Sequence, residues 1–176
     1  LVEEMPYLKG QERLIFERCG IINPLNLEDY TSNGGLKGLK TALKGDGQQI
    51  INEVKTSGLR GRGGAGFPTG IKWQTVHNTD GPQKYIICNA DEGDSGTFAD
   101  RLIMEGDPLL LIEGMIISGL AVGATLGIIY LRSEYPLAQK ILEDAIDVAL
   151  LSNILGENIL GSDKSFNISV FMGAGA

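Results

Sequence analysis

The sequence has few of the side chains that enzymes most often use for metal binding and acid–base chemistry. It contains 2 cysteines, 1 histidine and 1 tryptophan in 176 residues, and aromatic residues make up 6% of it. Cys19 and Cys88 lie far apart, and neither has a partner at metal-ligand spacing. The sequence therefore predicts no metal site, and it predicts free thiols in a reducing compartment. His77 lies in a polar stretch and is expected at the surface.

No stretch of the chain has the apolar continuity of a membrane-spanning helix. Residues 114–131 carry no charge, but glycine and threonine interrupt them, and a spanning helix needs about 20 apolar residues. We therefore expect a buried helix followed by a buried strand, and no direct insertion into a membrane. No signal peptide is visible, and the first residue is Leu1, so residues that precede it are expected.

Acidic residues are in excess, with one segment as the exception. The net charge of −7 argues against a nucleic-acid partner. Residues 37–72 nevertheless contain 7 lysines and arginines against 2 acidic residues. A positive segment in an acidic chain favours a small anionic ligand over a long polyanion.

Glycine is abundant, and it is concentrated in a loop that we call the glycine loop, residues 58–73. Six of these 16 residues are glycine. Glycines let successive backbone N–H groups curl around an anion, and Thr69 is predicted to cap a following helix whose N-terminus favours phosphate. Three basic side chains add positive charge: Arg60, Arg62 and Lys72. The glycine loop is therefore predicted to bind phosphate.

The glycine loop is not an ordinary dinucleotide-binding fingerprint. Gly61, Gly63 and Gly66 match G-x-G-x-x-G, but that fingerprint follows a strand, and residues 49–57 have the apolar spacing of a helix. A flexible linker, an arginine–glycine RNA-binding segment and a structural loop between helices are the alternatives. The Phe-Pro and Lys-Trp pairs disfavour a linker, and the absence of a repeat disfavours an RNA-binding segment.

The elements predicted along the chain change from short helices to alternating strands and helices. Helices are predicted over residues 7–19, 36–43 and 48–57, with a short turn capped by Asn26 between the first two. The core positions expected in the first helix are Leu8, Leu14, Ile15 and Cys19. Strands are then predicted over residues 84–89, 127–132 and 166–171, and helices over residues 98–105, 108–123 and 134–151.

Strands that alternate with helices imply crossover connections and a largely parallel sheet. We therefore predict an α/β fold: a Rossmann-like three-layer domain with a largely parallel sheet, preceded by short helices. Asp107 is expected to cap the helix over residues 108–123, with Pro108 in its first turn. Asp94 or Thr97 is expected to cap the helix before it.

A cluster of acidic and amide side chains follows the first predicted strand. It comprises Asn89, Asp91, Glu92 and Asp94. The carboxyl ends of strands are where open α/β sheets bind ligands. The alternative is a polar turn that caps the next helix, and the number of carboxylates favours binding. The sequence ends after the last strand, at residues 173–176, where a ligand loop usually begins, so we expect a fragment or one half of a split subunit.

Four segments together resemble one family. They are the glycine loop, residues 88–92 (Cys-Asn-Ala-Asp-Glu), residues 111–115 (Leu-Ile-Glu-Gly-Met) and residues 173–176 (Gly-Ala-Gly-Ala). In this order they resemble the flavin-binding, NADH-oxidising subunit of respiratory complex I. The family includes the diaphorase or β subunits of NAD-linked formate dehydrogenases and NAD-reducing hydrogenases. The resemblance extends from about Pro6 to the end.

The resemblance favours one branch of that family. Residues 89–101 look closest to the formate dehydrogenase and hydrogenase branch, because complex I members tend to have glutamate where this chain has Asp94. The implied chemistry is hydride transfer between NAD(H) and FMN, after which FMN exchanges single electrons with iron–sulfur clusters of partner subunits. No residue is assigned as an acid–base catalyst, because hydride transfer depends on alignment.

The resemblance also implies positions for the cofactors. It places Gly61, Arg62, Gly63 and Gly64 against the flavin, with Gly66 in the same cofactor-binding loop. It places Lys72 near the FMN phosphate or the dinucleotide, Phe67 on the NADH adenine, and Asp94 near the nicotinamide half. The residues that it assigns to hydrogen bonds with the flavin ring and ribityl chain are Asn89, Asp91 and Glu92.

The family continues beyond this sequence into further FMN contacts, a ubiquitin-like domain and a helical domain whose cysteines hold a 4Fe–4S cluster. Cys19 and Cys88 do not match those cluster ligands. The expected division is a helical lead-in over residues 1–57 and a truncated FMN/NAD-binding domain over residues 58–176, inactive alone. It is expected to be cytoplasmic, or peripheral to the membrane through partner subunits. The alternative function is a non-catalytic nucleotide-binding or scaffold fragment.

Overall fold

A three-stranded parallel sheet organises the fold. The computed structural model describes residues 4–7 and 9–174, with strands β1 (Tyr85–Ala90), β2 (Leu126–Leu131) and β3 (Asn167–Met172) side by side in that order. Tyr85 lies opposite Leu126, and Leu126 lies opposite Asn167. The predicted α/β class with a parallel sheet is confirmed, and every predicted strand lies within about one residue of its observed bounds.

Helices precede the sheet and connect its strands. Before β1 come α1 (Leu27–Ser32), α2 (Lys37–Ala42), α3 (Gly47–Thr56) and α4 (Thr69–Asn78). Helices α5 (Ala99–Gly106) and α6 (Pro108–Val122) connect β1 to β2, and α7 (Pro136–Leu151) connects β2 to β3. The side chain of Asn26 caps α1 as predicted, by accepting a hydrogen bond from the Asp29 N–H at 3.0 Å.

The helices cover only one face of the sheet in the part of the chain that the structure describes. Both crossovers step in the same direction, so right-handed connections place α6 and α7 on the same side. Buried residues of that face join α6 and α7 in one hydrophobic core. On the opposite, open face Ile87 is 59% exposed and Phe171 is 57% exposed, and Phe171 stacks on Tyr130. Helices α2, α3 and α4 form a further layer, packed on α6.

Close packing of α6 on the sheet depends on two glycines. A Cβ at Gly119 would lie 2.4 Å from the Phe166 ring, and one at Gly127 would lie 2.9 Å from the end of Met115. The helix ends at Gly123, which has a φ of 78°, a left-handed conformation that glycine adopts without steric cost.

The predicted helix over residues 7–19 is wrong. The described residues of this segment form turns and bends, and Leu8 lies outside the described residues. Leu14 is 77% exposed and Ile15 is also exposed, whereas Cys19 is buried. A short helix is stabilised mainly by packing of an apolar face, and Leu14 and Ile15 have no such surface to cover.

A buried carboxylate connects α6 to the first helices. Glu113 is 7% exposed and accepts hydrogen bonds from the Tyr30 hydroxyl at 2.5 Å, the Leu36 N–H at 2.8 Å and the Leu39 N–H at 2.9 Å. Helix α2 has no local side-chain cap, and Leu36 precedes it with a φ of 63°. Glu113 therefore caps α2 from another helix, and the three donors satisfy its buried charge.

We expect the substitution Glu113→Ala to lower the free energy of unfolding by about 2–4 kcal/mol, because it leaves buried donors without an acceptor. Urea denaturation followed by circular dichroism measures this loss. Glu143→Ala, an exposed glutamate on α7, is the matched control and should stay within about 0.5 kcal/mol of the parent. Equal losses in the two variants would contradict the assigned role of Glu113.

Candidate functional site

The glycine loop is closed at its base. Arg60 and Pro68 form an antiparallel bridge, the Gly61 N–H donates to the Phe67 carbonyl at 2.8 Å, and the Thr69 N–H donates to the Leu59 carbonyl at 2.9 Å. The Arg60 Nε donates to the Gly66 carbonyl at 2.6 Å. Arg60 therefore braces the glycine loop from within.

The tip of the glycine loop presents backbone N–H groups to solvent. Gly64 and Gly66 have φ values of 85° and 56°, a conformation that turns successive amides to one side. Among the described residues, no hydrogen bond uses the N–H of Arg62, Gly63 or Gly64. A Cβ at Gly63 would have no atom within 4 Å, so space is open above the tip. This arrangement fits an anionic ligand.

Helix α4 begins within the glycine loop, at Thr69, but Thr69 is not its cap. Pro68 occupies the N-cap position, and no side chain caps the helix. Thr69 is the first helical residue, and its N–H is bonded to the Leu59 carbonyl. Lys72 lies exposed in the first turn of α4. The uncapped N-terminus adds further free N–H groups and the positive end of a helix dipole beside the loop.

The glycine loop lies at the end of a helical hairpin that is remote from the start of the strands. Helices α3 and α4 form this antiparallel hairpin, and residues 57–68, which include most of the glycine loop, connect them. At the opposite end of that hairpin, a Cβ on Gly47 would lie 2.6 Å from the Ala121 carbonyl, and His77 Nδ1 lies 2.8 Å from the same oxygen. Ala121 is near the end of α6, which runs antiparallel to the strands, so that end of the hairpin lies beside the start of β2. The loop end is therefore the end of the hairpin that is remote from the start of β2.

The acidic cluster begins in the last two residues of β1 and continues into the turn after it; we call residues 89–94 the acidic turn. The Asn89 Oδ1 accepts a hydrogen bond from the Asp91 N–H at 3.1 Å, an Asx turn that bends the chain away from the sheet. Asn89 and Asp94 are exposed and Asp91 is half-buried. Among the hydrogen bonds of the described residues, none uses the carboxylate of Asp91 or Asp94.

Glu92 differs from the other residues of the acidic turn, because its carboxylate is engaged within the chain. It accepts hydrogen bonds from the Asp100 N–H at 2.8 Å, the Arg101 N–H at 3.1 Å and the Tyr135 hydroxyl at 3.0 Å. The first two donors are N–H groups in the first turn of α5. Glu92 therefore caps α5 from a distance.

The predicted cap of α5 is wrong, whereas the predicted N-cap of α6 is right in position. Neither Asp94 nor Thr97 caps α5; instead the Asp94 carbonyl accepts from the N–H and the hydroxyl of Thr97 at 3.2 and 2.7 Å. Asp107 does precede α6 with Pro108 in the first turn, but its side chain does not cap the helix. The Asp107 carboxylate pairs instead with Arg18 at 2.8 Å, because a buried carboxylate is stabilised by an opposite charge.

Sequence reasoning missed Arg132 and Tyr135, which contact the acidic turn. The signal that indicates them is their place directly after β2, since the carboxyl ends of neighbouring parallel strands meet at one edge of the sheet.

Burial, followed by the charge of Glu92, raises the pKa of Asp100. Burial, followed by the charge of Asp100, raises the pKa of Cys88 to about 11.

Other features of the described residues lie away from these two segments. A groove of about 670 Å³ lies between α2 and α3 and includes none of the predicted site residues. In the parts of the chain with described coordinates, no helix is long and apolar enough to cross a membrane. Within the same residues, no three histidine, cysteine or acidic side chains are grouped to hold a metal ion.

Comparison with known families is decisive for the ancestry of the chain. Residues 54–176 match the family described as the Nuo51 FMN-binding domain. The chain belongs to this family. The resemblance inferred from the glycine loop and the acidic turn is thereby confirmed, since both segments lie within the matched residues.

Relatives within the Nuo51 FMN-binding family belong to two kinds of complex. The chain is 50% identical over 96% of its length to the NADP-reducing hydrogenase subunit HndC of Solidesulfovibrio fructosivorans, and covers 34% of that protein. It is 52% identical over 86% of its length to an NADH-quinone oxidoreductase subunit of Aquifex aeolicus, covering 35% of it. The chain thus spans about a third of these relatives.

A solved structure shows the same fold. A chain of an NAD+-reducing [NiFe]-hydrogenase in the air-oxidised state matches with a TM-score of 0.69 and 34% identity, over 88% of this chain and 25% of the hydrogenase chain. The α/β architecture described above is therefore that of the Nuo51 FMN-binding family.

We expect the Cys88 thiol to react slowly with iodoacetamide. A pKa of about 11 instead of 9.0 leaves about 100-fold less thiolate at pH 8, and the thiolate is the reactive form. Mass spectrometry of a Cys19→Ser variant follows Cys88 alone, and unfolding in urea should restore the rate of a free thiol. A rate in the folded protein equal to that in urea would contradict the burial of Cys88.

Proposed function

We propose that this chain is part of an NADH:acceptor oxidoreductase subunit, a diaphorase that transfers hydride between NAD(H) and FMN. Its membership of the Nuo51 FMN-binding family supports an oxidoreductase role. The observation that carries the proposal is the glycine loop, with unpaired N–H groups at its tip and open space above Gly63. We propose that the loop meets the acidic turn at the carboxyl ends of the strands, where parallel α/β sheets bind nucleotides.

We propose that the two segments divide the contacts to FMN. The free N–H groups of Arg62, Gly63 and Gly64 face the flavin, and Gly61 lies beside them in the loop with its N–H bonded to Phe67. The free N-terminus of α4 with Lys72 favours the phosphate. The side chains available for the ring and ribityl chain are Asn89 and Asp91. When bound, FMN supplies the exchange between two-electron hydride chemistry and single-electron transfer.

Contacts to NAD(H) are proposed from exposure and charge. Phe67 is 49% exposed, which leaves a ring face free to stack on the adenine. Asp94 is exposed at the end of the acidic turn and is proposed to reach the nicotinamide half. Glu92 has three donors already, so its carboxylate retains limited capacity for a ligand and acts mainly on the shape of the turn.

We also propose the kind of multi-subunit complex to which the subunit belongs. A formate dehydrogenase β-type subunit is the interpretation that residues 89–101 favour, and the names of the relatives add hydrogenase and quinone oxidoreductase complexes to the same class. Partner subunits with iron–sulfur clusters would accept the electrons. We propose that a 4Fe–4S cluster is bound by residues outside this sequence. We also propose that the subunit is cytoplasmic, or peripheral to the membrane through partner subunits.

A second candidate is a non-catalytic nucleotide-binding or scaffold fragment, inactive by itself. The open face of the sheet favours it, because exposed apolar residues suit contact with another chain. Titration of FMN fluorescence with this chain, and with the full-length gene product, separates the two candidates. Tight binding with NADH-dependent flavin reduction supports the oxidoreductase, and binding without reduction supports the scaffold.

We expect Gly63→Val in the full-length gene product to reduce retention of FMN at least about 100-fold, because the side chain fills the space above the loop tip. The fold should be unaffected, since the new Cβ meets no atom within 4 Å. Bound flavin is quantified by absorbance after gel filtration. The matched control is Gly81→Val, before β1 at the far end of the sheet, where the nearest atom would be 3.9 Å away. Flavin content equal to the parent in both variants would refute the assignment of the loop.

A further inference from the structure

We propose that Arg132 and Tyr135, which follow β2, are positioning residues that hold the acidic turn in its ligand-binding shape. The inference rests on the proposed function, because the shape matters for the cofactor that the turn would contact. Neither residue belongs to the glycine loop or to the acidic turn. Both act on the turn through one residue, Glu92.

We call Arg132 and Tyr135, with their contacts to Glu92, the clamp. Its first contact is to the backbone of Glu92. The Arg132 Nη1 donates a hydrogen bond to the Glu92 carbonyl at 2.7 Å. Glu92 has a φ of 43°, a left-handed conformation that side chains other than glycine, asparagine and aspartate seldom adopt. Such a conformation persists only where surrounding contacts enforce it, and the bond from Arg132 is one of those contacts.

The second contact is to the side chain. The Tyr135 hydroxyl donates to the Glu92 carboxylate at 3.0 Å, while the other donors are N–H groups of α5. One carboxylate therefore joins the acidic turn, the start of α5 and the segment after β2. Because Glu92 is adjacent to Asp91 and two residues from Asp94, its conformation directs both free carboxylates.

Further contacts of Tyr135 and Arg132 hold the clamp in place. Two guanidinium groups contact the Tyr135 ring, with Arg101 at 5.3 Å and Arg132 at 5.1 Å from its centroid. Arg132 also pairs with Glu134 at 3.3 Å. A planar guanidinium can stack and donate at once, which an ammonium group cannot do in the same way. The geometry points to a preformed support for the turn at the edge of the sheet.

The test uses the full-length gene product with three substitutions. Tyr135→Phe removes only the hydroxyl. Arg132→Gln removes the positive charge and the planar guanidinium with its several donors, and Arg132→Lys keeps the charge without the guanidinium. Tyr85→Phe, on the open face at the start of β1, is the matched control. The readouts are the FMN dissociation constant from fluorescence, the flavin midpoint potential, the KM for NADH and the thermal midpoint.

We expect Tyr135→Phe to weaken FMN binding about tenfold, the effect of losing one hydrogen bond to a charged group. The flavin midpoint potential and the KM for NADH should also change, because the Glu92 carboxylate and Asp94 lose their fixed positions near the ligand. Arg132→Gln should act in the same direction and more strongly, with partial recovery in Arg132→Lys. The control and the thermal midpoints should stay close to the parent.

Two results would overturn the clamp. FMN affinity, potential and KM unchanged in Tyr135→Phe and Arg132→Gln would show that the turn keeps its shape without them. A lower thermal midpoint with an unchanged potential would assign the two residues to stability alone. Failure of the parent protein to bind FMN is a different result: it refutes the proposed function, and the clamp's role in cofactor binding with it.

Discussion

The packing of α6 against the sheet is the interaction on which the rest of the structure depends. This helix contacts the first two strands on one side and α2, α3 and α4 on the other, so it is apolar nearly all round, as expected of a buried helix. Glu113 is its one charged residue, and that charge is placed where three donors from the first helices meet it. The element that fills the core thus also specifies how the N-terminal helices attach.

The candidate site follows from this arrangement. The end of α6 anchors both the start of α3 and the end of α4, so the connecting glycine loop lies at the other end of that hairpin. The acidic turn lies at the carboxyl end of the sheet because it follows β1. The proposed site joins these two segments, which are separated by more than a dozen residues. Backbone N–H groups come from one segment and carboxylate and amide oxygens from the other, a combination that suits a phosphate-bearing aromatic ligand.

Much of this could be predicted from the sequence, because the signals are local. Apolar segments bounded by proline or glycine indicate the strands and the long helices. The high glycine content of residues 58–73 indicates the loop. Caps were less predictable: Asp107 has the right residue type in the right place, yet its carboxylate pairs with Arg18, far away in the chain. The same holds for Glu92, whose partner Tyr135 lies 43 positions away. Contacts of this kind depend on strand order, which local patterns do not encode, and the helix predicted over residues 7–19 failed because its apolar residues find no surface to cover.

The open face of the sheet has a consequence for the order of events during synthesis. Because β1, β2 and β3 lie side by side in chain order, each strand can pair as soon as it emerges from the ribosome. The helices that connect the strands emerge with them and cover one face, whereas the other face stays uncovered as the sheet grows. Ile87, Tyr130 and Phe171 then form a surface that a chaperone, or another nascent chain, can contact. The one-sided topology of the sheet therefore also creates a period of exposure to aggregation.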